Sequence, residues 1–184
     1  QKVILGLSGG LDSTLVLLVA VKTFKLLNLP LKNIHTFTLP GFGTTERTKS
    51  NAVKLAEALG VTLEEIDISK GTSLTLHELH HNGSQDVVYE NSQARYRTFL
   101  LMNKSNQLPA LMLGTGDLSE LALGWNTFSG DQISHYNVNA SIPKTLVKYL
   151  VNWISEQEEY SGSGKILKDI LATPISPELK KTGK

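Results

Sequence analysis

Two glycine-containing segments, each placed after an apolar run, have the residue types most suited to chemistry. The first covers residues 8–13 and reads SGGLDS. Its two glycines allow a ligand to approach the backbone closely, and the start of the following helix offers N–H groups and a dipole that favours an anion. Because no lysine follows at the Walker A spacing, the segment predicts a phosphate site of another kind.

Asp12 restricts what that phosphate site can be. A carboxylate repels phosphate unless a cation lies between them, and Mg²⁺ binds through one or two carboxylates together with phosphates. Asp12 is therefore a candidate magnesium ligand. The alternative is an ordinary strand-to-helix turn in which Asp12 or Ser13 only caps the helix.

The second glycine-containing segment covers residues 113–120 and reads LGTGDLSE. It follows a predicted strand, and ligands of open parallel sheets bind at the carboxyl ends of the strands. Thr115 is a candidate phosphate contact and Glu120 is a candidate second metal carboxylate. The alternative is a helix start capped by Thr115 or Ser119, with Asp117 or Glu120 favouring the helix dipole.

Two further segments are candidates for recognition of an organic substrate. Residues 90–97, ENSQARYR, place Asn91 and Arg95 on one helix face, and arginine suits carboxylate or phosphate recognition. A solvated face or a subunit contact is the alternative. Residues 124–131, GWNTFSGD, hold two aromatic rings that either stack on a flat ring of a ligand or pack into the core.

Single residues elsewhere are weaker candidates. Lys144 follows Pro143 at a predicted helix start and is a candidate phosphate contact, although most lysines are only solvated. His77, His80 and His81 have neither a fixed helical context nor a carboxylate partner in the sequence, so we interpret them as part of a polar loop rather than a metal site.

The hydrophobic pattern predicts the elements that position these segments. Predicted strands cover residues 3–7, 34–39, 62–68 and 110–113, and predicted helices cover residues 12–27, 45–59, 88–106 and 144–155. Because strands alternate with helices, we expect an α/β fold with a Rossmann-like central parallel sheet and helices on both faces. Residues 70–85 and the tail from Glu156 are poorly periodic, so we expect mobile loops there. We expect residues 70–85 and the tail after Tyr160 to order when ligand binds.

Composition excludes several classes of function. The 184 residues carry 18 Lys and Arg against 17 Asp and Glu, and a net charge of +1 gives no electrostatic basis for binding nucleic acid. The absence of cysteine excludes a disulfide scaffold, a thiolate zinc site, an iron–sulfur cluster and a cysteine nucleophile. The longest apolar stretch, residues 15–21, is far shorter than the ~20 residues of a membrane span. We expect one domain with no membrane partner.

Taken together, SGGLDS, ENSQARYR, GTGDLSE, GWNTFSGD and the later Lys144 resemble the NAD synthetase family over essentially the whole chain. SGGxDS alone is shared by the wider ATP pyrophosphatase superfamily, whose fold is the adenine nucleotide alpha hydrolase type. The run from Asp131, DQISHYNVNASIPKTL, is similar to the glutamine-dependent branch. We therefore expect residues 1–184 to be a single synthetase domain. It would be a fragment of a longer chain that also carries an N-terminal glutaminase domain and a C-terminal segment.

The resemblance implies roles for individual residues. It implies catalytic roles for Asp12 and Lys144, and Mg²⁺ ligation by Asp12 and Glu120. The implied ATP contacts are Ser8, Gly9, Gly10, Leu11, Asp12, Ser13, Thr115, Lys144 and Ser176. The implied deamido-NAD contacts are Asn91, Arg95, Glu120, Trp125, Asn126, Thr127 and Phe128. Since one contact from the Asn91 and Arg95 pair comes from a neighbouring subunit in the family, a homodimer is also implied.

The resemblance also implies a reaction. The nicotinate carboxylate of deamido-NAD attacks the α-phosphate of ATP, pyrophosphate leaves, and ammonia delivered from glutamine then displaces AMP to form NAD. The implied enzyme is a cytoplasmic ligase that forms a carbon–nitrogen bond with ATP and Mg²⁺. Phe128 and His135 stand where the ammonia-only enzymes have Lys and Asp contacts, which favours the glutamine-dependent branch. Two alternatives stay open: a GMP synthetase-like enzyme that adenylates another acceptor, and a nucleotide-binding module without catalysis.

Overall fold

A central sheet of five parallel strands organises the chain in the computed structural model, which describes residues 1–173 and residue 179. The strands are β1 (Val3–Gly6), β2 (Ile34–Thr38), β3 (Thr62–Glu65), β4 (Leu111–Gly114) and β5 (Tyr136–Asn137). Their order across the sheet is β3-β2-β1-β4-β5. The predicted α/β class with a parallel sheet is confirmed.

The strand order creates a crevice between β1 and β4. The chain moves from β1 to β2 and then β3 on one side, and it returns to place β4 on the other side of β1. Val3 pairs with Ile34 of β2 and with Leu111 of β4, so β1 is the central strand of this arrangement. The loops after β1 and β4 therefore diverge above a shared crevice, which is where open parallel sheets bind ligands.

Helices cover both faces of the sheet. The described residues form α1 (Leu11–Leu26), α2 (Glu46–Leu59), α3 (Ser69–Glu78), α4 (Val87–Gln107), α5 (Leu118–Leu123), α6 (Lys144–Ser155) and α7 (Gly164–Leu171). Two short 3₁₀ turns lie at Leu31–Asn33 and Glu158–Tyr160. None of the described helices combines the length and the apolar character that crossing a membrane requires.

The buried side chains form two clusters, one on each side of the sheet. The larger joins α1, α2, α6 and α7 to the strands, and Val16 and Val147 are among its fully buried members. The smaller joins Ile4 and Phe37 to Leu101 of α4. Burial of aliphatic side chains on both faces explains why β1 reads as a continuous apolar run.

Two predicted loops are wrong in part. Ser69–Glu78, which overlaps the first half of the predicted loop 70–85, forms α3 because Thr72 and Leu76 are buried, whereas residues 79–85 belong to no helix or strand. In the tail after Glu156, Gly164–Leu171 form α7, which buries Leu167 and Ile170 in the larger cluster. Ser69–Glu78 is only weakly amphipathic and depends on tertiary packing, so its sequence gives little helical signal. Gly164–Leu171 is short but strongly amphipathic, a signal that the sequence analysis overlooked.

Candidate active site

The turn after β1 closes on itself through two serine hydroxyls. Ser13 Oγ donates to the carbonyl of Gly10 at 3.1 Å and accepts from the N–H of Ser8 at 3.3 Å. Ser8 Oγ in turn accepts from the N–H of Gly10 at 3.1 Å. Gly9 has a φ of +84°, in the left-handed region that a side chain disfavours, so this turn requires glycine there.

The start of α1 has no side-chain cap. Gly10 occupies the N-cap position and no side chain caps the helix, so the alternative in which Asp12 or Ser13 only caps α1 is wrong. Ser13 instead holds the turn, and the Asp12 carboxylate faces the crevice groups described next. A helix start without a side-chain cap leaves its first N–H groups for water or a ligand.

Three carboxylates and one ammonium meet between the turn after β1, which we call the first turn, and the turn after β4. Lys144 Nζ lies 2.6 Å from Asp12 Oδ2, 2.8 Å from Asp117 Oδ2 and 2.9 Å from Glu120 Oε1. One oxygen from each of the three carboxylates lies within 4.8 Å of the others. We call these four residues the acidic centre. The second oxygen of Asp12, Oδ1, is buried and has no hydrogen-bond partner.

Burial and the ion pairs with Lys144 shift the pKa values of the acidic centre in opposite directions. Burial raises the pKa of Asp12 from 3.8 to about 6, even though the Lys144 ammonium opposes that rise. For Asp117, burial is the largest influence, but hydrogen bonds from Lys144 and from the Glu120 N–H outweigh it and lower the pKa. Burial would lower the pKa of Lys144, yet hydrogen bonds to the three carboxylates raise it above its usual value. Lys144 therefore carries a positive charge at neutral pH.

A capping box holds two of the carboxylates in place. Asp117 Oδ1 accepts from the N–H of Glu120 at 2.8 Å, and Glu120 Oε2 accepts from the N–H of Asp117 at 3.1 Å. Asp117 is completely buried, whereas Glu120 is partly exposed. The predicted alternative of a capped helix is thus correct for α5, but Asp117 rather than Thr115 or Ser119 is the cap. The same box leaves Glu120 Oε1 directed at Lys144.

The segment after α5 packs on the predicted polar face of α4. Gly124 ends α5 with a φ of +70°, and the chain then turns toward α4. Thr127 Oγ1 donates to Asn91 Oδ1 at 2.9 Å, and Arg95 Nε donates to the carbonyl of Phe128 at 3.1 Å. Asn126 also reaches the Glu120 carbonyl, at 3.4 Å. Asn91 and Arg95 therefore make hydrogen bonds to this loop of their own chain and hold it in place.

The two aromatic rings of that loop are not core residues. Trp125 is 77% exposed and Phe128 is 73% exposed, which excludes the alternative that both rings pack into the core. Gln93, on the neighbouring face of α4, is fully buried and accepts from the N–H of Phe42 through Oε1. The alternative of a solvated face therefore does not hold for Gln93, although it holds for the exposed Arg95, and the alternative of a subunit contact stays a prediction.

The comparisons with known proteins agree with this architecture. A family model described as NAD synthase matches residues 1–182. The chain belongs to the NAD synthase family. The glutamine-dependent NAD(+) synthetase of Mycobacterium bovis is 50% identical to it over 99% of this chain and 28% of its own length. That of Rhodobacter capsulatus is 33% identical over 98% of this chain and 33% of its own length. The chain thus spans about a third or less of these curated relatives.

Two solved structures are similar in fold. The glutamine-dependent NAD+ synthetase from Acinetobacter baumannii, in complex with ADP, has a TM-score of 0.81 and 30% identity, over 95% of this chain and 32% of that chain. The NMN synthetase from Francisella tularensis also has a TM-score of 0.81, with 25% identity, over 97% of this chain and 67% of that chain. The fold of the NAD synthase family is therefore shared across enzymes of different length.

In this family member, the structure brings the predicted site residues into two adjoining groups. The acidic centre, which includes Lys144, adjoins the turn after β1 and Thr115. Beside it lies the loop of Trp125–Phe128 with Asn91 and Arg95. Ser176 lies outside the described residues. His135, a predicted point of departure from the ammonia-only enzymes, accepts from the N–H of Met112 at the edge of β4 through Nδ1 at 3.0 Å.

Sequence reasoning missed two residues of the site. Asp117 had a usable signal, since an acidic cap followed three residues later by Glu is the capping-box pattern. Asn139 had none. It lies between β5 and α6, it is completely buried, and its Nδ2 reaches the carbonyls of both Asp12 and Thr115.

Proposed function

We propose that this chain is the amide-forming domain of a glutamine-dependent NAD+ synthetase. It converts deamido-NAD to NAD with ATP, through an adenylated intermediate, and releases pyrophosphate and AMP. The observation that carries the proposal is the convergence of Asp12, Asp117, Glu120 and Lys144 beside the glycine turn, at the carboxyl ends of β1 and β4. Membership of the NAD synthase family and the names of the relatives support the choice of substrates.

The phosphates of ATP bind at the first turn in this proposal. The N–H groups at the uncapped start of α1 and the backbone of residues 8–11 face phosphate oxygens, while the Ser8 and Ser13 hydroxyls keep the turn closed. The Thr115 hydroxyl and the Lys144 ammonium bind from the opposite side of the crevice. Ser176 remains a proposed contact from the sequence alone.

Asp12 and Glu120 are the proposed ligands of Mg²⁺. Two observations fit the ion: the buried Asp12 Oδ1 has no hydrogen-bond partner, and the donor set consists of carboxylate oxygens, which Mg²⁺ prefers. Bound with ATP, the ion would neutralise charge on the phosphates. Asp117 is buried and committed to the capping box, so we assign it to holding Glu120 and Lys144.

The reaction needs no nucleophile from the protein. A nicotinate carboxylate oxygen attacks the α-phosphorus, and the bond to the bridging oxygen breaks to release pyrophosphate. Ammonia then attacks the acyl carbon, the carbon–oxygen bond breaks to release AMP, and the nitrogen loses a proton. Lys144 stabilises the charge that builds on the α-phosphate, because its ammonium is protonated at neutral pH.

The dinucleotide binds beside the acidic centre. The exposed rings of Trp125 and Phe128 offer stacking surfaces for the nicotinate or adenine ring. Asn91 and Arg95 position the loop of residues 125–128 through hydrogen bonds to Thr127 and to the Phe128 carbonyl. Glu120 adjoins this loop, because Asn126 and Trp125 both donate to its carbonyl, and its carboxylate belongs to the acidic centre.

The working form is a cytoplasmic homodimer that receives ammonia from a glutaminase domain. An apolar groove of about 260 Å³ between α3 and α4 supports the dimer, because it offers an exposed apolar surface to a second copy of the chain. The groove is lined by Thr75, Leu79, Ser92, Arg95, Tyr96 and Phe99. Leu79 and Phe99 are 58% and 59% exposed. Sedimentation of the wild type should give a dimer that Phe99→Glu dissociates, whereas Trp153→Glu, at an exposed tryptophan of α6, should leave it intact.

The deciding experiment measures AMP and NAD produced by this chain from Mg–ATP, deamido-NAD and ammonium. We expect equal amounts of the two products. The double variant Asp12→Asn with Glu120→Gln should lose this turnover and keep its circular dichroism spectrum. The matched control, Asp169→Asn with Glu159→Gln, removes two exposed ion-paired carboxylates and should keep the activity. An unchanged rate in the Asp12 and Glu120 double variant refutes the assignment of the carboxylates.

Other acceptors distinguish the remaining functions. Turnover of xanthosine monophosphate in place of deamido-NAD would favour the GMP synthetase-like alternative. Formation of NMN would favour an NMN synthetase, the name given to the Francisella tularensis protein. Binding of Mg–ATP, detected as a shift in unfolding midpoint, with no AMP formed from any acceptor would favour a nucleotide-binding module.

A further inference from the structure

Asn139 lies at the junction of the two turns that form the candidate active site. Its side chain is completely buried between β5 and α6. Its Nδ2 lies 3.1 Å from the carbonyl of Asp12, in the first turn of α1, and 3.4 Å from the carbonyl of Thr115, in the turn after β4. One amide group therefore connects two segments that are about a hundred residues apart in the chain.

The chemistry of this contact requires a donor with two hydrogens. Both neighbours are carbonyl oxygens, which only accept hydrogen bonds, and the NH₂ of asparagine donates two. An aspartate of the same shape would place a carboxylate against two carbonyl oxygens. A hydrophobic residue would leave both carbonyls without this donor in a buried place, which costs free energy.

The backbone around Asn139 extends the same connection to Lys144. The Asn139 carbonyl accepts from the N–H of Ile142 at 2.9 Å, and the Ile142 carbonyl accepts from the N–H of Leu118 at 3.0 Å. The N–H of Lys144 then donates to Ser119 Oγ at 3.1 Å. Residues 139–144 are thus fixed to the start of α5, and they place the Lys144 ammonium among the three carboxylates.

We propose that Asn139 is a positioning residue that couples the two turns, setting the distance between the Asp12 and Thr115 sides of the crevice and the place of Lys144. It acts through backbone carbonyls and touches no reacting atom. The coupling itself stands on the geometry above, and only the identity of the ligand it serves, Mg–ATP, rests on the proposed function. Loosening this contact lets the two sides of the phosphate site move independently.

The test compares Asn139→Leu, which keeps the branched shape of the side chain without its polar atoms, and Asn139→Ala with Asn51→Ala. Asn51 lies in α2, is 2% exposed and therefore controls for loss of a buried asparagine elsewhere. Amide hydrogen exchange of the ligand-free protein should show about tenfold weaker protection at residues 8–14 and 115–118 together in the Asn139 variants, as loss of a net hydrogen bond predicts. The control variant should change neither turn.

Calorimetric titration with Mg–ATP, well below the unfolding midpoint, gives the second readout. We expect the dissociation constant to rise about tenfold in both Asn139 variants and to stay within about twofold in Asn51→Ala. A lower unfolding midpoint with unchanged protection of the turns and unchanged affinity would overturn the proposal. Failure of both Asn139 variants to fold would also overturn it, because the residue would then serve the fold as a whole.

The two readouts separate this proposal from the proposed function. If the wild-type chain does not bind Mg–ATP, the proposed function fails. The exchange experiment still decides whether Asn139 couples the turns. If the wild type binds and the Asn139 variants bind equally well, the proposed function stands and the positioning role is lost.

Discussion

Replacing Asp12 with asparagine should make the ligand-free protein more stable at neutral pH while abolishing the proposed activity. Burial raises the pKa of Asp12 from 3.8 to about 6, so the folded protein binds this proton more tightly than the unfolded chain does. Ionisation of Asp12 therefore favours unfolding. This cost is absent below pH 3.8, grows as the pH rises through about 6, and is constant above that.

The magnitude follows from the same two pKa values. The difference between 3.8 and about 6 corresponds to about 3 kcal/mol at high pH. Since the Asp12 side chain is 24% exposed, solvent screening lowers the expected gain to about 2 kcal/mol. In a chain of this size, such a gain raises the midpoint of thermal unfolding by roughly 4–8 °C.

Urea denaturation of the wild type and Asp12→Asn across a pH series checks this reasoning. The two proteins should converge toward pH 3.8 and differ fully above about pH 6. Added Mg²⁺ should stabilise the wild type more than the variant. Asp169→Asn is the control, because hydrogen bonds from Asn51 and Arg47 lower the pKa of Asp169 and its loss should destabilise the protein slightly. An Asp12→Asn protein less stable than the wild type at every pH would refute the argument, since attraction to Lys144 would then outweigh burial.

Three further substitutions test other parts of the structure. Lys144→Met leaves three carboxylates without their shared cation, so urea denaturation should show a loss of about 2 kcal/mol, and equal stability would contradict the ion-pair geometry. Asp86→Ala removes the acceptor of the first N–H groups of α4. Hydrogen bonding to the Tyr89 N–H holds the pKa of Asp86 at about 2. The loss of stability should therefore be complete above pH 3.8 and vanish as the pH falls through about 2. Gly71→Ala places a methyl group against the Tyr96 ring and should lower the free energy of unfolding by about 1–3 kcal/mol in denaturation experiments. Gly162→Ala is the control, because no atom lies within 4 Å of the added carbon, and it should change stability little. Equal effects of the two substitutions would refute the close approach of α3 to α4.

The sequence predicted the elements that carry strong local patterns. The helix at Lys144–Ser155 agrees with its prediction at both ends, and the strand beginning at Val3 and the helix ending near Leu26 agree within about one residue. Apolar runs and helical spacing determine these elements locally. The fold class followed from their alternation.

Residues whose roles depend on distant contacts were harder to predict. Asn139 meets its two carbonyl acceptors only after the sheet has brought the first turn and the β4 turn together, and α3 is ordered by Gly71 lying against Tyr96. The first-turn prediction also gave Ser13 a capping role, whereas its hydroxyl holds the turn through the Gly10 carbonyl. Local propensity contains no information about such partners.

The acidic centre also has a consequence for the order in which the protein folds. Asp12 and Lys144 are 132 positions apart in the chain, and β1 must pair with β4 before they can meet. Contacts between residues so far apart in the sequence form late, because many other interactions must first offset the entropy lost on closing so long a loop. During synthesis, the first turn leaves the ribosome long before Lys144 has been added to the chain. The nucleotide binding proposed for this chain would therefore report that α6 has joined the sheet, and truncation anywhere before α6 should remove that signal even where the first three strands have already paired.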